Sequence, residues 1–502
     1  MNKLQSEVLE ILKDESLTHE QTVHKLAKFA ENIIDYPKDI PTKFQEYYNR
    51  RYLCDVSEGH APYCPRYILP DYQKFMENGS KFLRLDPPTN LYEAVNSLLI
   101  LYRHVPSVTH FPVYMGEIDT LLEPFIDHVH AREIIKNFLI HCDRTFGSSF
   151  CHMNLSGNNN KSAYIILDCL YELENAVPNF TILYSQKRTS DDLATKAIST
   201  ALKCANPAFA DIDKYIRDYD GKKVGIVSCY NGLPVGGGAH TLSRIRLNVI
   251  AKDSLNKTDF LNNCLKDVVE VLCNFMEEKI KFLNEETPFY KVNFLIREGL
   301  INKDEFIGLF GVVGLAEAVN IIMNKEGLNY RFGKNDEANN LGLEILDKLL
   351  EYVNEFKTNY SPNNHSRFFL HAQVGAENDE ETSPGVRIPI GEEIDILDHI
   401  LQAGLYHKFF QTGVGDIFPF ESTAKGNPDS VLDIYKGAFL NGMRYISSYL
   451  EDSDVIRVTG YLVKRSEIEK FNNGYHVINE TNKGAYSSGE LELALNRKVR
   501  NM

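Results

Sequence analysis

The apolar residues in the first part of the chain recur at the spacing of amphipathic helices. Leu4, Val8, Ile11 and Leu12 fall on one helical face, and prolines interrupt the pattern further along. Residues 1 to about 95 are therefore predicted to form an N-terminal helical region.

A second pattern, in which strands alternate with helices, runs from about residue 96 to residue 445. Its short β-branched runs include 181–184 and 224–228, and its long amphipathic helices include 260–283 and 338–357. Such alternation predicts an α/β architecture with the helices outside the sheet. We find no linker-like stretch and no internal repeat.

The remaining part, 446–502, is predicted to be a small C-terminal module with a short helix over 466–471 and a polar end. The most apolar run of the chain lies earlier, at 306–323. It carries Glu317 and Asn320 and is short for a membrane span, so it predicts a buried helix.

Composition narrows the classes of partner. The chain has 502 residues, 43% hydrophobic and 25% charged, as in ordinary globular proteins. Its net charge of −15 argues against nucleic acid and anionic membranes, which require basic patches. The nine cysteines lack disulfide-like spacing, and the N-terminus has no secretory signal pattern. We therefore expect reduced thiols and a cytoplasmic location.

The pentapeptide Arg457-Val458-Thr459-Gly460-Tyr461 carries the strongest chemical signal. It resembles the signature of glycyl radical enzymes, in which the glycine loses a Cα hydrogen and stores an unpaired electron. Glycine suits this role because a radical carbon without a side chain can flatten and delocalise into both neighbouring amides. The structural alternative is a glycine that only marks a turn.

A stored glycyl radical needs a group that reaches the substrate, and a cysteine thiol is the natural choice. Cys229 ends the predicted strand 224–228 and opens the glycine-rich loop 230–240, which can approach another chain segment closely. Most free cysteines are small buried hydrophobes. Beside the Gly460 motif, however, we expect Cys229 to form a thiyl radical.

The resemblance extends over most of the chain and points to the YjjI-type glycyl radical enzymes. The segments that carry it are 113–119, 178–181, 206–211, a segment at 311–318 that resembles a shared helix, the loop after Cys229 and the run 454–471. It implies a ten-stranded α/β barrel in which the Cys229 and Gly460 loops meet.

The resemblance also implies how the radical is installed. A separate activating enzyme of the iron–sulfur and S-adenosylmethionine type would remove the Gly460 hydrogen, so the chain would hold no permanent cofactor. No metal site is predicted, because the adjacent pairs His141-Cys142 and Cys151-His152 do not match zinc-ligand spacing. The other implied partners are a small-molecule substrate and a second copy of the chain in a homodimer.

Three departures limit the transfer of a specific reaction. Pyruvate formate-lyase-type enzymes have two adjacent cysteines, whereas Tyr230 follows Cys229 here. Dehydratases have a glutamate two residues after the cysteine, where this chain has Asn231, which remains a candidate substrate contact. Anaerobic ribonucleotide reductases have a C-terminal zinc site of four cysteines, and no cysteine follows Cys273.

A radical reaction usually needs an acid or base beside the abstracted hydrogen. His371 and Glu377 lie at the end of a predicted strand, and their structural alternatives are a core histidine and a solvated carboxylate. Asp416, in a glycine-rich turn, is a candidate substrate contact. His240 is a candidate for positioning the thiyl loop.

The leading hypothesis is an oxygen-sensitive radical enzyme in which Gly460 stores the electron and Cys229 abstracts hydrogen from a small organic substrate. Two alternatives stay open. One is nucleotide or nucleoside reduction of the anaerobic ribonucleotide reductase type, and the other is a non-catalytic binding or spare-part protein with the same fold.

Overall fold

The computed structural model describes residues 2–33, 40–54, 56, 61–372, 382–481 and 490–501. Its strands are β1 (Leu53–Cys54), β2 (Tyr67–Leu69), β3 (His152–Leu155), β4 (Asn179–Tyr184), β5 (Ala208–Asp211), β6 (Val224–Val227), β7 (Asn231–Pro234), β8 (Gly237–Arg246), β9 (Phe306–Val313), β10 (Phe369–Ala372), β11 (Asp416–Phe420), β12 (Tyr445–Leu450), β13 (Val455–Arg457) and β14 (Leu462–Lys464). Its helices are α1 (Lys3–Leu12), α2 (His19–Glu31), α3 (Phe44–Asn49), α4 (Tyr72–Asn78), α5 (Leu91–Arg103), α6 (Ile118–Leu122), α7 (Ala131–Thr145), α8 (Lys161–Leu173), α9 (Asp191–Cys204), α10 (Ile212–Asp218), α11 (Leu247–Asp253), α12 (Lys257–Asp259), α13 (Leu265–Lys281), α14 (Phe289–Val292), α15 (Phe294–Arg297), α16 (Leu315–Lys325), α17 (Asp336–Glu355), α18 (Ile396–His407), α19 (Pro428–Leu440), α20 (Arg465–Asn472) and α21 (Glu490–Leu495).

Local sequence explains several helix boundaries. The side chains of Asn90 and Ser190 accept hydrogen bonds from backbone N–H groups at the starts of α5 and α9. Pro428 opens α19, where a missing N–H group costs no hydrogen bond. Within the described ranges, no helix is long and apolar enough to cross a membrane.

Two five-stranded sheets, together ten strands, form the centre of the described chain. In the first sheet, β1 and β2 pair antiparallel with β8, while β8, β9 and β10 run parallel. In the second sheet, the order is β11-β12-β5-β4-β3, and only the β12–β5 pair is antiparallel. The predicted α/β class is confirmed, and the predicted helical N-terminal region also contributes β1 and β2.

The two sheets contain ten described strands, but two of these, β1 and β2, come from the region predicted to be helical, so closure into a ten-stranded barrel stays a prediction. A backbone bond from Ala372 N to the oxygen of Gly413, at 3.0 Å, links the end of β10 to the segment before β11. Among the described strands, no ladder joins the sheets edge to edge into a closed barrel.

The apolar run 306–323, predicted as one buried helix, is instead a strand followed by a helix. β9 covers Phe306–Val313 and α16 begins at Leu315, with Gly314 between them at a φ of +78°. The prediction was wrong because a strand buried on both faces has no alternation to reveal it. The helix expected at 311–318 from the family resemblance is wrong for the same reason, because the segment contains the end of β9 and the start of α16.

The antiparallel hairpin β6–β7 lies between the two sheets. On one side, the Asn154 side chain of β3 bonds to both backbone groups of Ile226 at 2.8 Å. On the other side, the Tyr230 hydroxyl donates to the oxygen of Ala372 in β10, at 2.7 Å. The tip of this hairpin is therefore enclosed by both sheets.

The second antiparallel hairpin, β13–β14, has a small core of its own. Val455, Ile456, Leu462 and Val463 of the hairpin pack with Ile468 of α20 in a cluster apart from the two larger cores. The proposed domain boundaries near 95 and 445 stay predictions.

Candidate active site

Cys229 occupies the tip of hairpin β6–β7. Because Val227 pairs with Asn231, the turn consists of Ser228, Cys229 and Tyr230. Ser228 has a φ of +58°, a left-handed conformation that costs a residue with a side chain on the order of 1 kcal/mol. The thiol therefore stands on a tight turn directly after a strand, as the sequence predicted. The predicted glycine-rich loop 230–240 is wrong, because most of this segment lies in the strands β7 and β8.

A neutral histidine holds this turn from the second sheet. Burial lowers the pKa of His152 to about 3, so its ring carries no charge at neutral pH. Its Nδ1 lies 3.1 Å from the Ser228 carbonyl oxygen, and its Nε2 lies 2.8 Å from Thr181 Oγ1. Because a carbonyl oxygen only accepts, we assign the proton to Nδ1, which leaves Nε2 to accept from the threonine.

Gly460 lies in the turn of hairpin β13–β14. The N–H of Val458 donates to the oxygen of Tyr461 at 3.2 Å, which closes the turn, and Gly460 is buried. Its φ lies outside the left-handed range, so backbone conformation does not explain the glycine.

The reason for a glycine is the contact with Cys229. A Cβ placed on Gly460 would lie 2.3 Å from the Cβ of Cys229 and 2.8 Å from its Sγ, so no side chain fits. Since a Cα–Cβ bond measures about 1.5 Å, the Gly460 Cα and the Cys229 Sγ are no more than about 4.3 Å apart. The two turns thus meet at these atoms.

Asn179 and Arg457 connect the two turns. The Asn179 Nδ2 donates to the Gly460 oxygen at 3.1 Å and lies 3.4 Å from the Ser228 oxygen. Its Oδ1 accepts from Arg457 Nη2 at 3.0 Å, and Arg457 Nε donates to the oxygen of Ala205 at 2.9 Å. A buried network of this kind fixes the position of Gly460 relative to the cysteine turn.

The Cys229 thiol keeps its proton. Burial raises its pKa to about 11, although a hydrogen bond with Ser228 and the charges of Arg457, Arg387 and Arg66 lower it. At neutral pH the sulfur therefore carries hydrogen, which suits a donor of hydrogen atoms better than a thiolate nucleophile.

The remaining residues of the pentapeptide belong to the same turn. Val458 and Tyr461 pack in the small C-terminal core, and the Tyr461 ring meets Phe150 edge to face at 5.4 Å. Thr459 is buried, and its hydroxyl has no hydrogen-bond partner among the described residues. Arg497 donates to the oxygens of Val458 at 2.7 Å and Arg457 at 3.1 Å.

Two of the other predicted residues lie close to the cysteine turn. Asn231 begins β7 and its Nδ2 donates to the oxygen of Val227 at 3.0 Å, while its buried Oδ1 has no partner among the described residues. His371 lies in β10, with its ring 6.0 Å from that of Tyr230 and its Nδ1 3.3 Å from Thr412 Oγ1. Their roles stay predictions.

Asp416 begins strand β11 and is buried, so its predicted place in a glycine-rich turn is wrong. The glycine spacing was misleading because strand β11 begins at Asp416 itself. Oxygens of Asp416 lie 3.0 Å from His407 Nε2 and 3.4 Å from His399 Nε2. Burial raises the pKa of Asp416, but the contacts of its carboxylate with His399 and His407 outweigh this effect and hold the pKa well below the usual value.

The last two predicted residues are His240 and Glu377. His240 is buried in β8, where its Nε2 lies 3.0 Å from the oxygen of Tyr360 and its Nδ1 3.0 Å from the hydroxyl of Tyr290. Burial lowers its pKa to about 4, so it is neutral. Glu377 lies outside the described residues.

Sequence reasoning missed Asn179, His152 and Arg497 as residues that organise the site. Asn179 stands in a segment that carried the family resemblance, which was the one signal available. His152 was considered only as part of an adjacent His-Cys pair. Nothing in the local sequence distinguishes Arg497 from other basic residues near the C-terminus.

The sequence of the chain matches the model of a protein family. The family model described as "Glycyl radical enzyme YjjI-like" matches residues 17–500. An uncharacterized protein of Haemophilus influenzae is 42% identical over 495 residues, covering 97% of this chain and 96% of its own length. The uncharacterized protein YjjI of Escherichia coli is 38% identical over 473 residues, covering 94% of this chain and 91% of its own length.

Solved structures with low sequence identity share the fold. The B12-independent glycerol dehydratase of Clostridium butyricum superimposes with a TM-score of 0.69 at 11% identity, over 100% of this chain and 89% of its own. The anaerobic ribonucleotide reductase of Thermotoga maritima superimposes with a TM-score of 0.67 at 12% identity, over 94% of each chain.

Proposed function

Because the chain belongs to the YjjI-like glycyl radical enzyme family, we propose that Gly460 stores its radical and that Cys229 delivers it to substrate. The enzyme would act without oxygen on a small organic molecule. The single observation that supports these two roles is the contact between them, in which Cys229 occupies the space of a Gly460 side chain.

The proposed chemistry consists of four hydrogen transfers. The Gly460 radical takes the hydrogen atom of the Cys229 S–H group, which restores the glycine and leaves a thiyl radical. The thiyl radical then takes a hydrogen atom from a substrate carbon. After the substrate radical has reacted, the product radical takes the hydrogen back from Cys229, and the sulfur recovers its own from Gly460.

The surroundings support the first transfer in two ways. The raised pKa of Cys229 keeps the transferable hydrogen on the sulfur. Asn179 and Arg457 hold the carbonyl oxygen of Gly460 at 3.1 and 3.4 Å, so the glycine amide keeps its orientation toward the sulfur.

Activation requires a partner, as it does for glycyl radical enzymes in general. We propose a separate enzyme with iron–sulfur and S-adenosylmethionine chemistry, which abstracts the Gly460 hydrogen. Gly460 is buried, so its turn must open when the activating enzyme works on it.

The similar structures include both a dehydratase and a ribonucleotide reductase, and their identities of 11–12% support the shared fold alone. Asn231 in place of the dehydratase glutamate removes the base of that reaction. We therefore propose hydrogen abstraction from a small organic substrate, and no observation favours nucleotide reduction over it.

The test is electron paramagnetic resonance of anaerobic protein after incubation with the activating enzyme. Wild type should show a doublet, because the unpaired electron couples to the one hydrogen that remains on the Gly460 Cα. In D₂O the Cys229 thiol is deuterated. Repeated transfer between Cys229 and Gly460 should then replace that hydrogen with deuterium and collapse the doublet. Cys229→Ser should keep the doublet in D₂O, whereas Cys264→Ser, at a half-buried cysteine elsewhere, should behave as wild type. A wild-type protein without the signal, or Cys229→Ser with normal collapse, would refute the proposal.

A further inference from the structure

Arg387 stands beside the cysteine turn. Its Nε donates to the oxygen of Gly415 at 2.7 Å, and its guanidinium lies 5.6 Å from the centre of the Tyr230 ring. Tyr230 follows Cys229 directly, and its hydroxyl is held by the oxygen of Ala372. The arginine is thus anchored on one edge, against a residue of the catalytic turn.

The terminal nitrogens of the guanidinium are the part that Gly415 does not bind. Nη2 is buried and has no hydrogen-bond partner among the described residues. Within the same ranges, no carboxylate forms an ion pair with Arg387 within 4.0 Å, and Asp416, which follows Gly415, contacts His399 and His407 instead. A buried cationic donor without a partner is costly, and an anion that binds it recovers that free energy.

The neighbourhood of the sulfur is positive in a chain whose net charge is −15. The charges that act most strongly on the Cys229 thiol belong to Arg457, Arg387 and Arg66. Arg457 is committed to Ala205 and Asn179. A local excess of guanidinium groups attracts an anionic substrate into the site.

Geometry favours a carboxylate as this anion. With Nε occupied by Gly415, the free face of Arg387 is the pair of terminal nitrogens, Nη1 and Nη2. This pair presents two parallel N–H groups, the arrangement that a carboxylate binds with both oxygens.

We infer that the substrate is a small organic carboxylate, whose carboxylate group pairs with Arg387 while its carbon chain lies against Cys229. This inference rests on the proposed function for the role of Cys229. It adds that Arg387 selects the substrate by charge.

The test uses unactivated protein and a matched pair of probes, propionate and its neutral isostere propanamide. Thermal unfolding at increasing probe concentration gives the affinity of each. Propionate should stabilise wild type, and propanamide should bind at least about tenfold more weakly. Arg387→Gln should weaken propionate binding about ten- to a hundredfold, Arg387→Lys should retain part of it, and Arg103→Gln, at an exposed arginine of α5, should not change it.

Equal affinity of wild type for the two probes, no stabilisation by propionate, or equal propionate binding by wild type and Arg387→Gln would overturn the inference. If Arg387→Gln does not fold, two measurements decide. One is the relative affinity of wild type for the two probes, and the other is the affinity of Arg387→Lys for propionate. Because no radical is involved, the result is separate from the paramagnetic test: a normal Gly460 signal with no preference for the carboxylate rejects only the substrate class.

Discussion

Arg497 holds the carbonyl oxygen of Val458 at 2.7 Å across 39 positions of sequence. A second bond from the same guanidinium reaches the oxygen of Arg457 at 3.1 Å. The last described segment of the chain therefore fastens the turn that bears Gly460. In the proposed function, the fastened turn protects the Gly460 radical, but it must be released before the radical can be installed.

Arg497→Gln should make the Gly460 turn easier to open. Loss of the two bonds leaves buried carbonyls short of donors and lowers the cost of opening by about 2 kcal/mol. We expect the activating enzyme to install the radical several-fold faster, and the radical to decay faster in air. Paramagnetic signal against time measures both rates. Lys498→Gln, at the exposed neighbour, is the control, and unchanged rates in Arg497→Gln would show that the turn opens without breaking this contact.

Gly460→Ala should destabilise the protein as well as abolish the radical. The added Cβ would lie 2.3 Å from the Cβ of Cys229, so one of the turns must shift, at a cost of about 1–3 kcal/mol. Gly437→Ala is the matched control, because a Cβ there meets nothing within 4 Å and the position lies inside α19. Thermal unfolding compares the two; equal melting temperatures would mean that the two turns are not in contact in solution.

The contact between Gly460 and Cys229 could be expected because each residue has a local signal in the sequence, and their chemical roles stay predictions. The Gly460 pentapeptide is contiguous, and Cys229 follows directly on a β-branched strand. The residues that hold them are not local. Asn179 and Arg457 are separated by 278 positions, and only the folded chain brings them together.

The fold, like the site, could be predicted only in part. The α/β class followed from the alternation of periods, and β4 and β6 lie where β-branched runs predicted them. The strand β9 was missed because every one of its residues is buried, so that its pattern resembles a buried helix. Asp416 was misplaced because glycine spacing alone does not show where a turn ends and a strand begins.

Asn179→Leu should separate radical storage from radical transfer. The substitution removes the Nδ2 group that donates to the Gly460 oxygen and the Oδ1 atom that accepts from Arg457. We expect this loss to cost about 3 kcal/mol in stability. We expect the radical to form, but the collapse of its doublet in D₂O to slow at least about tenfold, because the turns lose their alignment. The comparison is made at a temperature where both proteins are folded. Collapse at the wild-type rate would assign Asn179 a purely structural role.

The raised pKa of Cys229 predicts how stability depends on pH. The folded thiol has a pKa of about 11 because of burial, against an ordinary value of 9.0. Below pH 9 both the folded and unfolded chains carry a neutral thiol, and its contribution to stability is complete. As pH rises from about 9 to about 11 the unfolded thiol ionises first, so this contribution is lost, by up to about 3 kcal/mol.

Subtracting the free energy of unfolding of Cys229→Ser from that of wild type removes the contribution of the other buried cysteines. Denaturant unfolding of wild type and Cys229→Ser across this range should give a difference in free energy that moves against wild type as pH rises. The same thiol must be protonated to give hydrogen to the Gly460 radical, so doublet collapse in D₂O should hold constant to about pH 10 and fall beyond it. A fall that begins at or below pH 9 would mean that water reaches the sulfur. The two sheets would then not exclude water from the thiyl radical.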